Sequence, residues 1–142
     1  MRRSQCLIAL FLLLFGCEKY YLSVTREAVD RARLASTFVR SPDPRQENPP
    51  RGQELTIEWR LPESDLEEGL TLVLSIIYKN HSQDTICYPV NKRRGVLTYS
   101  LLGEDFKQTE GLLTYKVEIL QKDHTVIKEW KQQLWTELIA ID

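Results

Sequence analysis

The chain has 142 residues, 19 of them basic and 20 acidic, for a net charge of −1 at pH 7 with histidine neutral. That balance lacks the overall basic footprint of a nucleic-acid binder, and the length suits one domain with its own core. Three cysteines and two histidines leave little material for a disulfide framework or a zinc site.

The N-terminus opens Met1-Arg2-Arg3 and runs from Leu7 to Phe15 almost without a polar atom. Positive charge ahead of a short apolar run is the pattern of a secretory signal. A membrane-spanning helix needs about 20 apolar residues, and Glu18 and Lys19 restore charge well before that length. Leu14-Phe15-Gly16-Cys17 resembles the lipobox of bacterial lipoproteins: Leu, a variable small or apolar residue, Gly or Ala, then Cys. Phe15 occupies a slot that more often holds Ala, Ser or Thr. The resemblance covers residues 1–17. It implies cleavage after Gly16, a thioether-linked diacylglyceryl group on Cys17, and usually a further acyl chain on the new amine. Two such chains hold a protein on a bilayer stably where one holds it marginally, since each buried methylene contributes about 0.8 kcal/mol. The implied address is the bacterial cell envelope, and Glu18 in place of an Asp after the cysteine favours the outer over the inner membrane. The plainer alternative is a secreted protein cut nearby, with Cys17 incidental.

Removal of residues 1–16 would leave 126 residues with 17 basic and 20 acidic side chains, a net charge of −3. Cys6 would leave with the signal and Cys17 would be alkylated, so Cys87 stands alone and no intramolecular disulfide can form. Residues 17–36 read as a lipidated tether that becomes a short helix. Val24, Ala28, Ala32 and Ala35 fall on one helical stripe, and Ser23 or Thr25 can cap its start. Residues 41–53 hold four prolines and a glycine and read as an extended crossing, because proline lacks the amide that a helix or ladder needs.

Beyond the prolines the hydrophobic period becomes two. Leu55, Ile57, Trp59 and Leu61 alternate with polar residues until Pro62, which predicts a half-buried strand. In 70–79, Leu72, Leu74, Ile76 and Tyr78 make one face, and Val73 and Ile77 make the other apolar too, which predicts a central strand. Residues 84–90 form a shorter strand, and Pro89 places it at a sheet edge. Leu97, Tyr99 and Leu101 alternate between Gly95 and Gly103, and Leu113, Tyr115, Val117 and Ile119 alternate further on. For 124–140 two readings compete. Ile127, Trp130, Leu134, Leu138 and Ile141 fit helical spacing. A hairpin closing at Gln121-Lys122-Asp123-His124 instead opposes Ile119 to Val126 and Tyr115 to Trp130, apolar to apolar. The expectation is a long final strand with a bulge near Gln132-Gln133, with the helix as alternative.

Leu55-x-Ile57-x-Trp59 ending at Pro62 resembles the second strand of fibronectin type III and related immunoglobulin-like sandwiches, and Tyr115-x-Val117-x-Ile119 resembles their penultimate strand, where a tyrosine corner pins the chain. The expected fold is therefore mainly β: an immunoglobulin/fibronectin-III-like sandwich over 37–142, preceded by the short helix or tether. Trp59, Tyr115 and Trp130 are its expected structural aromatics. Two departures stand out. The Leu102-to-Tyr115 connection is long, and the Leu-Pro-Gly corner usual before the tyrosine is absent.

No catalytic motif emerges. His81 and His124 lie in polar turns without paired zinc spacing, and there is neither a Gly-x-Ser-x-Gly elbow nor a glycine-rich phosphate loop. Cys87 has no histidine partner in sight and reads as a structural thiol. Glu67-Glu68 and Glu104-Asp105 read as ordinary turn acids. Two features suggest binding instead. Lys92, Arg93 and Arg94 crowd one turn. In a fibronectin-like order that turn shares an end of the sandwich with the 62–69 and 121–124 loops, where its charges could meet anionic head groups or a partner's acidic patch. Trp135, Leu138 and Ile139 exceed what a small sandwich face covers; exposed, they would offer a partner an apolar edge, and otherwise they cover the N-terminal helix or the proline crossing. The reading is a lipid-anchored envelope protein, a binding or scaffolding module rather than an enzyme. No cofactor, metal, nucleic acid or small-molecule substrate is implied; the partners are the membrane, through the anchor, and another envelope protein. A small periplasmic hydrolase or ligand-binding accessory protein, and a surface adhesin, are the alternatives.

Overall fold

The computed structural model describes residues 19–34, 39–40, 42, 44, 47–66 and 69–135. Seven strands form two antiparallel sheets. β1 (Tyr21–Val29), β2 (Gly52–Arg60) and β5 (Arg94–Leu102) make one, in the order β1-β2-β5. β3 (Thr71–Tyr78), β4 (Gln83–Pro89), β6 (Leu112–Leu120) and β7 (Val126–Lys131) make the other, in the order β4-β3-β6-β7. A seven-residue helix, α1 (Gly103–Thr109), carries the chain from the first sheet to the second. The architecture is mainly β and sandwich-like. One core lies between the sheets: Leu55, Ile57 and Leu101 from one side meet Leu72, Leu74, Ile76, Val117 and Ile119 from the other, all buried. A 2.7 Å hydrogen bond between the hydroxyls of Tyr78 on β3 and Tyr99 on β5 joins the sheets inside that core. Burial of these phenols pushes the Tyr78 hydroxyl well above the usual tyrosine range, and raises Tyr88 and Tyr115 as well.

The period-two runs became strands for the reason the pattern gives: one face is buried and the other is not. β3 pairs with both β4 and β6 and is central, while β4, which ends on Pro89, lies at an edge. The helix expected in the 17–36 tether does not form in the described part. Residues 21–29 are instead a nine-residue strand in continuous register with β2, from Tyr21↔Arg60 to Val29↔Gly52. Only Arg31–Arg33 make a helical turn, of 3-10 type, capped by the Asp30 carboxylate accepting from the Ala32 amide at 2.8 Å. Leu22 and Val24 lie against the core, and the ladder to β2 outweighs the intrinsic helical preference of Arg, Glu and Ala. The sheet thus begins at Tyr21, ahead of the expected boundary at residue 37, and the proline-bearing segment links β1 to β2.

The final strand also differs. β7 pairs with β6 as a hairpin, but with Val117↔Trp130 and Ile119↔Lys128 rather than the expected register. His124 takes a left-handed backbone, φ 67°, which adds one residue to the turn, and an irregularity between Ile119 and Leu120 adds a second. A shift of two keeps every side chain on its expected face. Tyr115 and Trp130 therefore still meet, as diagonal neighbours stacked at 5.6 Å and 11°. The strand stops at Lys131 instead of running on, and residues 133–135 begin a helical turn. The Gln132 side chain causes this, accepting the Leu134 amide at 2.8 Å and the hydroxyl of fully buried Thr114 at 2.9 Å.

Candidate functional site

Two ends of the sandwich carry loops, and they differ in kind. At the end where β1 starts, the Leu61 amide donates to the Arg93 carbonyl at 2.8 Å and the Val90 amide to the Leu70 carbonyl at 3.0 Å. The Trp59 indole donates to the Lys92 carbonyl at 3.0 Å. Lys122 lies over Gly69, close enough that a Cβ there would sit 3.3 Å from its side chain. The β2–β3, β4–β5 and β6–β7 connections thus share one end with the first residues of β1. Lys92, Arg93 and Arg94 are brought together there, on a turn whose backbone is held by the Trp59 indole. Gly95 allows this, because the ring lies where its side chain would be.

This end is of mixed charge. Lys19, Arg60, Lys92, Arg93, Arg94 and Lys122 share it with Glu63, Asp65 and Asp123, and the sequence adds Glu18, Glu67 and Glu68 outside the described residues. Asp123 accepts the Thr125 amide at 3.0 Å, which holds its carboxyl below the usual range. Tyr20, Leu66 and Val126, all exposed, lie at the same end. No sequence pattern marks them, since each is a single apolar residue at a strand or loop terminus.

At the opposite end, an open groove of about 690 Å³ is lined by Val29, Asp30, Arg31, Pro49, Arg51 and Phe106. A second, of about 610 Å³, shares Pro49, Arg51 and Phe106 and continues to α1. Of the acids lining the two, Asp30 is engaged as the cap and Glu104 with Lys107 at 2.9 Å, and Glu47 lines the first groove beside them. Glu104 and Asp105 open the first turn of α1 rather than a loop, where acids complement the helix dipole.

The other sequence candidates are scattered. His81 and His124 sit at opposite ends, in the same kind of hairpin turn. In each, the histidine is left-handed (φ 67°) and its amide donates back three residues, to Tyr78 or Gln121. The preceding Asn80 or Asp123 accepts the amide two residues on. Both are three-residue hairpins in which the left-handed position is met by histidine instead of glycine. Cys87 is an exposed free thiol on the outer side of edge strand β4. Among the described residues no three His, Cys, Asp or Glu side chains are placed to hold a metal.

The proposed apolar edge needs correction at Trp135. Its ring is only 9 % exposed, with the Lys116 ammonium 5.3 Å from its centre, so it covers the outer side of β6 and is not offered to a partner. It lies against its own sheet, over Lys116 of β6. Leu138, Ile139 and Cys17 lie outside the described residues. Comparison with protein-family models, with curated proteins and with solved structures gives no match.

Proposed function

We propose that this chain is a lipid-anchored protein of the bacterial envelope whose immunoglobulin/fibronectin-III-like domain serves as a binding or scaffolding module. Leu14-Phe15-Gly16-Cys17 carries the anchor. The observation that joins anchor to domain is the position of β1. Its first residue, Tyr21, comes only four residues after Cys17, so the sandwich is mounted directly on the anchor. The fibronectin-like assignment is supported by the placement of the two resembling segments: 55–59 is within the second strand and 115–119 within the penultimate one. Confinement to a membrane raises the effective concentration of such a module for a weak protein contact. The separation of the two histidines at opposite ends favours binding over hydrolysis. Palmitate labelling of cells producing the wild-type protein and Cys17→Ser tests the anchor. Label on the wild type alone, with Cys17→Ser released from membranes, is expected; an unlabelled wild type would overturn it. Cross-linking in intact cells then tests for a protein partner.

A further inference from the structure

We infer that the β1-start end of the sandwich rests on the phospholipid bilayer itself, with Tyr20, Leu66 and Val126 at the level of the head groups. The inference rests on the lipid anchor proposed above and says which surface of the domain that anchor presses down.

Chain length makes the first part of the case. Tyr21 is four residues on from Cys17, and a fully extended chain gains at most about 3.6 Å per residue, so its Cα stays within about 14 Å of the Cα of the acylated cysteine. A strand of nine residues such as β2 is longer, at roughly 26 Å from first to last Cα. The anchor therefore holds one end of the domain at the membrane and cannot serve as a long leash.

The surface chemistry of that end makes the second part. Six large apolar residues are exposed among those described. Tyr20, Leu66 and Val126 belong to this end, and Val96, 65 % exposed, lies one residue beyond Gly95 on β5. A tyrosine with apolar neighbours suits the boundary between head groups and acyl chains, where one end of the ring is dry and the other wet. Lys92 and Lys122 flank these residues on turns whose backbones are fixed, and their stems can extend along the interface while the ammonium groups stay in water.

Charge decides the kind of bilayer. The six cations of this end, Arg60 beside Arg94 included, are matched in number by Glu63, Asp65 and Asp123 together with Glu18, Glu67 and Glu68 of the sequence. Each unopposed basic residue near an anionic surface contributes about 1 kcal/mol, and here few are unopposed. Docking is accordingly apolar, and it requires neither anionic lipid nor low salt.

The test uses the purified, acylated full chain in phosphatidylcholine vesicles at physiological salt. The exposed thiol is first removed by Cys87→Ser. Nitroxide labels are then placed singly through Leu66→Cys, Val126→Cys and, at the far end, Gln108→Cys, all exposed positions. The collision rate with oxygen, which partitions into lipid, is compared with that of an aqueous nickel chelate. A several-fold higher oxygen-to-nickel ratio at 66 and 126 than at 108 is expected. Equal, water-like ratios at all three sites on protein shown by mass spectrometry to carry acyl chains would overturn the docking while leaving the anchor intact. Protein found without acyl chains would overturn both. A ratio difference that appears only with phosphatidylglycerol and vanishes in high salt would overturn the apolar mode in favour of the basic turn.

Discussion

Substitution of Gly95 by alanine tests how the end of the core is closed. Gly95 is paired with Trp59 across the β2–β5 ladder, and a Cβ at 95 would lie 2.1 Å from Cζ2, 2.5 Å from Cη2 and 2.6 Å from Cε2 of the indole. Carbon atoms prefer about 3.5–4.0 Å, so the ring has to move by more than an ångström. That movement breaks the 3.0 Å bond from Nε1 to the Lys92 carbonyl. Overpacking costs about 1–3 kcal/mol, and the lost hydrogen bond about 1 kcal/mol more. Against this, alanine in place of glycine inside an element stabilises by only about 0.5–1 kcal/mol. The steric terms win, and Gly95→Ala should destabilise by about 2–3 kcal/mol. For a domain near 100 residues that lowers Tm by roughly 8–24 °C, at about 4–8 °C per kcal/mol. Urea unfolding followed by fluorescence supplies the measurement, with Trp130 and Trp135 as remaining reporters when Trp59 is replaced. In a Trp59→Leu background the ring is gone and Gly95→Ala should become neutral or slightly stabilising, giving a coupling energy of similar size. An equal penalty in both backgrounds, or no penalty in the wild type, would refute the close approach.

Gln132→Ala removes the acceptor of the buried Thr114 hydroxyl and of the Leu134 amide. It should cost about 1–3 kcal/mol and increase solvent quenching of Trp135, whereas Thr114→Val combined with it should restore much of the loss. Replacing His81 or His124 by glycine relieves a left-handed backbone at each site and should raise stability by up to about 1 kcal/mol, read from the denaturation midpoint. Tyr78, Tyr88 and Tyr115 have raised folded-state values, so the stability they contribute is complete below about pH 10 and is lost as pH rises beyond it. Ultraviolet titration should show these three ionising only together with alkaline unfolding; ionisation of all six tyrosines before any unfolding would contradict it. At the other extreme, Asp123 has a lowered value, so the turn it holds should be strongest above pH 4 and weaken on further acidification. Faster amide exchange at Thr125 in acid, beyond the intrinsic pH effect, would show this.

The strands that carry the core were legible because their period is two and one face is apolar: Leu55-Ile57, Leu72-Leu74-Ile76 and Tyr115-Val117-Ile119 are all buried as the alternation requires. β1 was not legible. Only Leu22 and Val24 mark its inner side, and Arg26, Glu27 and Ala28 at the exposed edge read equally well as helix. What makes it a strand is its partner β2, which lies more than twenty residues away in the chain and which no local window contains. The register of β7 escaped for a related reason. A hairpin drawn from apolar matching has no place for a left-handed histidine, and the two added residues cancel in face while changing every pair. The mixed-charge end was half visible, in that the Lys92-Arg93-Arg94 turn and its neighbouring loops were expected together. Tyr20, Leu66 and Val126 come to one end only once the strands have set their termini side by side.

The two sheets differ in how far apart in the chain their partners lie. β3–β4 and β6–β7 are hairpins closed by turns of three residues, and either can form from its own sequence. The sheet β1-β2-β5 has no such unit. β1 reaches β2 across residues 30–51, and β2 reaches β5 only after the whole β3–β4 hairpin has been threaded between them. Closing long loops before any contact rewards them slows folding. The β2–β5 and β3–β6 ladders close over nearly equal spans of chain, so maturation is expected to wait on those two seams, and Gly95 with Trp59 lies on the first.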